Sequence, residues 1–287
     1  MDPQLLDRYK FIDFLIMFKG RLTRSELVKR FTIGEATASR TIASYIEAYP
    51  SVIEYKGPRK GYIVRQGFTP TFAHEALAGL KYVATGELLE KVDVACFGFQ
   101  INRMQKILDA REVAVITRSI VDKSLVSLEY VSATSGSKRR NVAPHAIFEA
   151  GGAWYFRAYD TATLEFRTFH FSRIASAVNL GPAEHPAQLE ARDDSWHRMR
   201  IIRLMPHPKN PLPDAQLLDL GVGDKEIKEL MVSEACLGFV LTDLRVDCSK
   251  ARKLNCYEYP LALKNRSELE AVESMSFSPG FTSNKFK

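Results

Sequence analysis

Trp154-Tyr155-Phe156-Arg157-Ala158-Tyr159, followed by Phe166-Arg167-Thr168-Phe169-His170-Phe171-Ser172-Arg173-Ile174, is the stretch on which the reading of this chain turns. Its side chains alternate with a period of two, the signature of strands that bury one face. The same period runs upstream, where Val126, Leu128 and Tyr130 alternate with Ser127, Glu129 and Val131. Ser135-Gly136-Ser137 and Gly151-Gly152 are turns, and a strand from Lys138 through His145 to Phe148 lies between them. Several short strands at this spacing predict a small β-barrel or sandwich.

Strand parity separates the residues further. Trp154, Phe156 and Ala158 share one face, and Tyr155, Arg157 and Tyr159 share the other. In the next strand Arg167, Phe169 and Phe171 share a face, with Arg173 two steps on. Arg140 and His145 lie on the preceding strand. A guanidinium beside aromatic rings binds phosphates through paired hydrogen bonds and bases by stacking. The pattern therefore predicts a pocket for an anionic ligand. An outer sheet face with scattered arginines would give a similar pattern.

Upstream, residues 4–18 carry Leu5, Tyr9, Ile12 and Ile16 on one helical stripe. Thr23-x-x-Glu26 has the form of a capping box. A short helix with Leu27, Val28 and Phe31 inward follows it, then the turn Thr32-Ile33-Gly34. A helix over about 35–48 comes next, with Ala38, Ile42 and Ile46 on its core face and Thr37, Arg40, Thr41 and Ser44 opposite. Small polar residues with one arginine suit a helix seated in a major groove. Two strands, Val52–Tyr55 and Tyr62–Arg65, flank a hairpin containing Lys56, Arg59 and Lys60, which suits phosphate contact. The order predicts a winged helix-turn-helix that binds DNA. Arg40 and Ser39 are the candidates for base edges, and Thr23 and Arg24 at the start of the short helix complete the set. A three-helix domain used for protein contacts shares the helical spacing but does not account for the basic hairpin.

Charge agrees with this division. The net +6 separates into +5 over residues 1–66, −1 over 67–117, +3 over 118–179 and −1 over 180–287. The excess lies on the two segments expected to meet polyanions. Residues 71–90 and 99–110 read as connecting helices, with Cys96 a buried filler between them. Six prolines within 182–215 mark irregular connection. Beyond them a strand is expected over 197–204, and helices over 214–220 and 224–241, the latter with Ile227, Leu230, Met231 and Ala235 on one face. A near-neutral α/β segment suits oligomerisation. The four cysteines form no C-x-x-C pair, the start Met1-Asp2-Pro3-Gln4 is not a signal peptide, and no window is apolar enough to span a membrane, so a reduced cytoplasmic protein associated with the nucleoid is expected. Gly221-Val222-Gly223 lacks the rest of a nucleotide-binding fingerprint, and no metal, cofactor or catalytic set is expected.

Pro144-His145, Trp154-Tyr155-Phe156, Arg157-Ala158-Tyr159, Phe166-Arg167-Thr168-Phe169 and Ser172-Arg173-Ile174 resemble the WYL domain, with Phe156 a conservative departure in the naming triplet. The arginine-bearing segments resemble the BrxR/CapW-like WYL regulators of bacterial anti-phage islands. The resemblance implies an α+β multidomain chain. Residues 1–70 would form a winged helix-turn-helix, 71–117 a helical connector, 118–181 an Sm/SH3-like barrel and 182–287 an α/β dimerisation domain. It implies a pocket lined by Arg140, His145, Tyr159, Arg167 and Arg173, with Ser132 on the first barrel strand, holding a nucleic-acid fragment or nucleotide. The expectation is a homodimeric repressor on an inverted-repeat operator of double-stranded DNA. A nucleic-acid-binding module without a transcriptional role is the alternative.

Overall fold

The computed structural model describes residues 2–50, 52–57, 60–87, 108–133, 136–222 and 227–282. The helix expected over 99–110 falls almost wholly outside them, as do Cys96 and Arg59. The chain groups into two compact units, Met1–Phe148 with Tyr155–Leu189, and Glu149–Trp154 with Glu190–Lys287.

In the first unit, α1 (Pro3–Lys19) is capped by Asp2, which accepts the Gln4 amide, and ends at Gly20. Every residue from Phe11 to Phe18 is buried, so the single stripe read from sequence understates this helix. Its later turns are buried all round and, apart from Asp13, apolar, and they form a central post. Around it pack α2 (Arg24–Phe31), α3 (Glu35–Ala48), α4 (Ala76–Thr85) and α5 (Ala110–Asp122). Helix α5 runs on to Asp122, into the segment expected to open the barrel at 118, and Val113, Ala114, Ile116, Thr117 and Ser119 form its buried face.

Asp13 is the one charged side chain buried in this post among the described residues of α1. Its carboxylate accepts from Tyr45 Oη on α3 at 2.7 Å, from the amides of Thr71 and Phe72 at 3.0 and 3.1 Å, and bonds His74 Nε2 at 2.8 Å. Burial alone would raise its pKa, but these hydrogen bonds outweigh burial and hold it below the usual carboxylate range. The helix expected from 71 starts only at Ala76. The amides of Thr71 and Phe72 are spent on Asp13.

Three short strands complete the head: β1 (Arg21–Leu22), β2 (Ile53–Tyr55) and β3 (Tyr62–Val64), in the order β1-β3-β2. Gly61 leads into β3 at φ 69°, and a Cβ there would stand 2.6 Å from the Leu22 carbonyl oxygen. Glycine alone fits such an approach at positive φ.

The period-two segment forms β4 (Ser124–Ser132), β5 (Gly136–Ala150), β6 (Ala153–Asp160), β7 (Glu165–His170) and β8 (Ile174–Pro182). Gly151 and Gly152, both at positive φ, make the β5–β6 turn. Strand order is β7-β6-β5-β4-β8. After β7 a 3₁₀ turn, Phe171–Arg173, carries the chain back to the free edge of β4. No pairing joins β7 to β8 among the described residues, so the ladder is an open five-stranded sheet, not a closed ring. Val126, Leu128, Phe156, Ala158 and Phe169 fill its core.

The second unit holds α6 (Asp194–His197), β9 (Met199–Pro206), α7 (Asp214–Leu220), β10 (Lys228–Ser233), α8 (Leu237–Asp243), β11 (Val246–Asp247) and β12 (Leu261–Leu263). The sheet order is β10-β9-β12-β11. The helix expected over 224–241 is corrected here: 228–233 is a strand, and helix begins at Leu237. Leu230 lies opposite Ile202 and both face the core, whereas Met231 beside it is exposed. Alternation at 229–232 mimics a helical face when three apolar residues stand in a row.

Candidate functional site

Glu26 closes the start of α2 by accepting from the Thr23 amide at 2.8 Å and the Thr23 hydroxyl at 2.9 Å. Thr23 is thus half-buried and engaged in capping. Helix α3 spans the expected residues, but its buried positions are Ala38, Thr41, Ile42 and Tyr45. Tyr45, not Ile46, is the fully buried member, so the centre of the buried face moves toward Thr41 and away from Ile46 while Ala38 and Ile42 stay buried. Two of the expected groove-facing residues are therefore corrected. Thr41 is 4% exposed and donates to the Thr37 carbonyl at 2.9 Å. Ser44 is half-buried, with its hydroxyl 2.5 Å from Tyr9 Oη. Neither presents its hydroxyl to a groove.

What remains outward is compact. Arg24 and Arg40 are exposed, and Thr37 and Ser39 are partly so. Arg24 Nη1 lies 3.4 Å from Ser39 Oγ, and Arg40 Nη2 lies 3.4 Å from Thr37 Oγ1. Two guanidiniums rest lightly on two hydroxyls at the N-terminal half of α3, available to base edges or phosphates. In the hairpin, Lys56 and Lys60 are exposed, and Lys56 Nζ pairs with Glu54 at 2.8 Å. Arg59 lies outside the described residues.

On the sheet, register decides which side chains meet. Tyr155 stands opposite His170, Arg157 opposite Thr168, and Tyr159 opposite Phe166. Phe156 stands opposite Phe169, and Ala158 opposite Arg167. Directly opposed residues share a face. Arg157 and Tyr159 therefore share theirs with Phe166, Thr168 and His170, whereas Arg167 is on the side of Ala158 and Phe156. The resemblance places Arg167 in one pocket with Tyr159, but this pairing sets the two on opposite faces of the ladder. Phe169 and Phe171 are core residues, with rings 5.2 and 5.0 Å from that of Phe156.

The expected ligand residues thus divide. His145 packs edge-on against Phe166 at 5.5 Å, and Tyr159 does the same at 5.2 Å. These two belong to the Arg157 face. Arg173, exposed in the 3₁₀ turn, is near enough for its charge to bear on Tyr155 and His170 of that face. For Tyr155 burial dominates and the net shift is upward, whereas for His170 burial and Arg173 act together downward. Arg140, opposite Leu128, bonds the buried Asp160 at 2.5 Å, and exposed Arg167 bonds Glu165 at 3.0 Å. Each of these arginines already has a carboxylate partner. Ser132 is half-buried at the end of β4, opposite Gly136.

Sequence reading passed over Arg157 and His170. Arg157 is 7% exposed and reaches Thr168 Oγ1 at 3.4 Å. Tyr155 stacks on Phe148 at 5.3 Å and meets the His170 ring edge-on at 4.8 Å. Their shared parity with Tyr159 is legible in sequence. The missing information is the register of β7, which a one-residue shift reverses. The face mixes cationic, hydrogen-bonding and stacking groups, a chemistry suited to nucleotides. Among the described residues no group of three His, Cys, Asp or Glu is placed to hold a metal ion, and no helix is long and apolar enough to cross a membrane.

Comparison with known proteins matches residues 4–82 to the BrxR transcriptional regulator winged helix-turn-helix domain and residues 111–178 to the WYL domain. A DNA-binding transcriptional repressor CapW of Escherichia coli (strain KTE188) is 29% identical over 276 residues, covering 92% of this chain and 90% of that protein. CapW of Pseudomonas aeruginosa is 26% identical, with the same two coverages of 92% and 90%. Among solved structures, proteasome accessory factor B/C of Arthrobacter aurescens aligns with 94% of this chain and 47% of its own, at 13% identity and a TM-score of 0.27. The chain thus carries a BrxR winged helix-turn-helix domain and a WYL domain, and its homologues over most of its length are repressors named CapW.

Proposed function

We propose that this chain is a sequence-specific DNA-binding regulator that represses transcription. The observation that carries the reading is the exposed cluster of Arg24, Thr37, Ser39 and Arg40 on a winged helix-turn-helix, in a chain whose homologues are named repressors. Arg40 and Ser39 read base edges, and Lys56, Arg59 and Lys60 hold phosphates. Two such heads on a homodimer read the halves of an inverted repeat. The outward Met199, Ile201 and Met231 on β9 and β10 support residues 182–287 as the dimerisation domain.

The WYL sheet, residues 118–181, is the effector domain. Its fifth strand returns through a 3₁₀ turn to pair with the first, in a sheet left open between β7 and β8. His145, Arg157, Tyr159 and Arg173 bind an anionic nucleic-acid fragment or nucleotide, and the ligand favours one dimer geometry and so shifts operator affinity. The resemblance to regulators of anti-phage islands supports a defence operon as the regulated target. Genomic fragments retained by the protein, sequenced and then footprinted, test the reading. A shared inverted repeat supports it, and retention without sequence preference rejects it.

A further inference from the structure

His170 is held in a particular chemical state by its neighbours. Its Nδ1 accepts the Ser172 amide at 3.1 Å and lies 2.8 Å from Ser172 Oγ. An amide N–H can only donate, so Nδ1 is the unprotonated nitrogen and the neutral ring carries its proton on Nε2. Burial and the charge of Arg173 both favour that neutral form. The Nε2–H has no hydrogen-bond partner among the described residues. The ring stands edge-on to Tyr155, opposite it across the β6–β7 ladder, on the face that holds Arg157 and Tyr159. The backbone of His170 is tied as well, its amide donating to Tyr130 Oη at 2.9 Å.

We propose that His170 is a specificity-determining residue of the effector site, donating Nε2–H to a phosphate oxygen of a single-stranded nucleic-acid ligand whose base stacks near Tyr155. The inference rests on the effector-site reading above. A neutral donor of fixed tautomer differs from the arginines around it. It adds direction without adding charge, and it favours a ligand with an acceptor at one position over anions in general.

Two substitutions separate this role from that of a turn cap. His170→Asn keeps an oxygen that can accept the Ser172 amide, as in an Asx turn, but is too short to replace the Nε2 donor. His170→Gln keeps a donor near the Nε2 position and gives up that compact cap. The probe is a 5′-phosphorylated single-stranded oligothymidylate, titrated onto the full chain by fluorescence anisotropy, with thermal unfolding followed in parallel. His170→Asn is expected to melt like the unaltered protein and to bind the probe about tenfold more weakly, the effect of one hydrogen bond to a charged acceptor. His170→Gln is expected to melt lower and to bind within about twofold of the unaltered protein. Unchanged binding by His170→Asn, or equal losses in both variants, would overturn the proposal. Failure of the unaltered protein to bind, with Arg157→Ala equally inert, rejects the effector-site reading together with it.

Discussion

On α3, Arg40 is exposed and touches Thr37 Oγ1 and the Ala36 carbonyl at 3.4 Å each, whereas on β6 Arg157 is 7% exposed and sits between aromatic neighbours. The first is a loosely held group that can adjust to a base edge on contact. The second is fixed by a ladder that also fixes its neighbours. Adjustable side chains on a rigid helix suit a long duplex whose contacts vary along its length. A pre-set face suits a small ligand, because ordering it in advance lowers the entropy lost on binding.

The largest expected effect breaks one region and spares the other. Asp13→Ala orphans the donors of Tyr45, Thr71, Phe72 and His74 beneath α3, and is expected to cost about 3–5 kcal/mol. Calorimetry should show the head unfolding early, with probe binding by the sheet retained. Because the Asp13 carboxyl is held below its ordinary value of 3.8, its contribution is complete above that pH and is lost as pH falls through the folded value. An acid titration of Asp13→Asn against the unaltered chain checks the sign, since the difference in stability should shrink on acidification.

Arg40→Ala should remove roughly 1–3 kcal/mol of discrimination between operator and random DNA while leaving thermal stability unchanged. Thr41→Ala, one residue on, is expected to do the reverse, lowering the melting temperature with selectivity intact. Competition gel shifts and melting curves on both variants decide whether α3 is oriented as its burial indicates.

On the sheet the sharper contrast is Arg157→Ala against Arg167→Ala. Removing Arg157 is expected to weaken an oligothymidylate probe about tenfold, and removing Arg167, which is exposed and already paired with Glu165, about twofold or less. Equal losses would mean that β7 presents both arginines to one ligand. The smallest effect is expected in the wing. Lys60→Ala should weaken binding to all sequences alike and reduce the slope of log affinity against log salt by about one, and Lys56→Ala by less, since Glu54 already neutralises it.

Much of this was legible in the chain. The limits of α3, the wing strands and the Gly151-Gly152 turn follow from capping, period and turn chemistry, all local properties. Orientation was harder. Ala38 and Ile42 fit two neighbouring helical faces, and the choice between Ile46 and Tyr45 depended on Asp13, 32 residues away, which offers Tyr45 a buried hydrogen bond. Register across β6 and β7 was likewise set by packing, since Phe169 had to reach Phe156 in the core. The strand at 228–233 was hidden because its inward residues, Leu230 and Val232, flank an apolar residue that faces out.

Gly61 carries a consequence for genetics. It has no charge, no side chain and no surface, and it lies at the base of the wing against the Leu22 carbonyl. A saturation screen scored by loss of operator occupancy should nevertheless return it beside Arg40, because any replacement displaces the wing from the start of α2. Sensitivity in such a map would therefore report two different things at these positions: a contact with the operator at one, and at the other the space that a backbone needs.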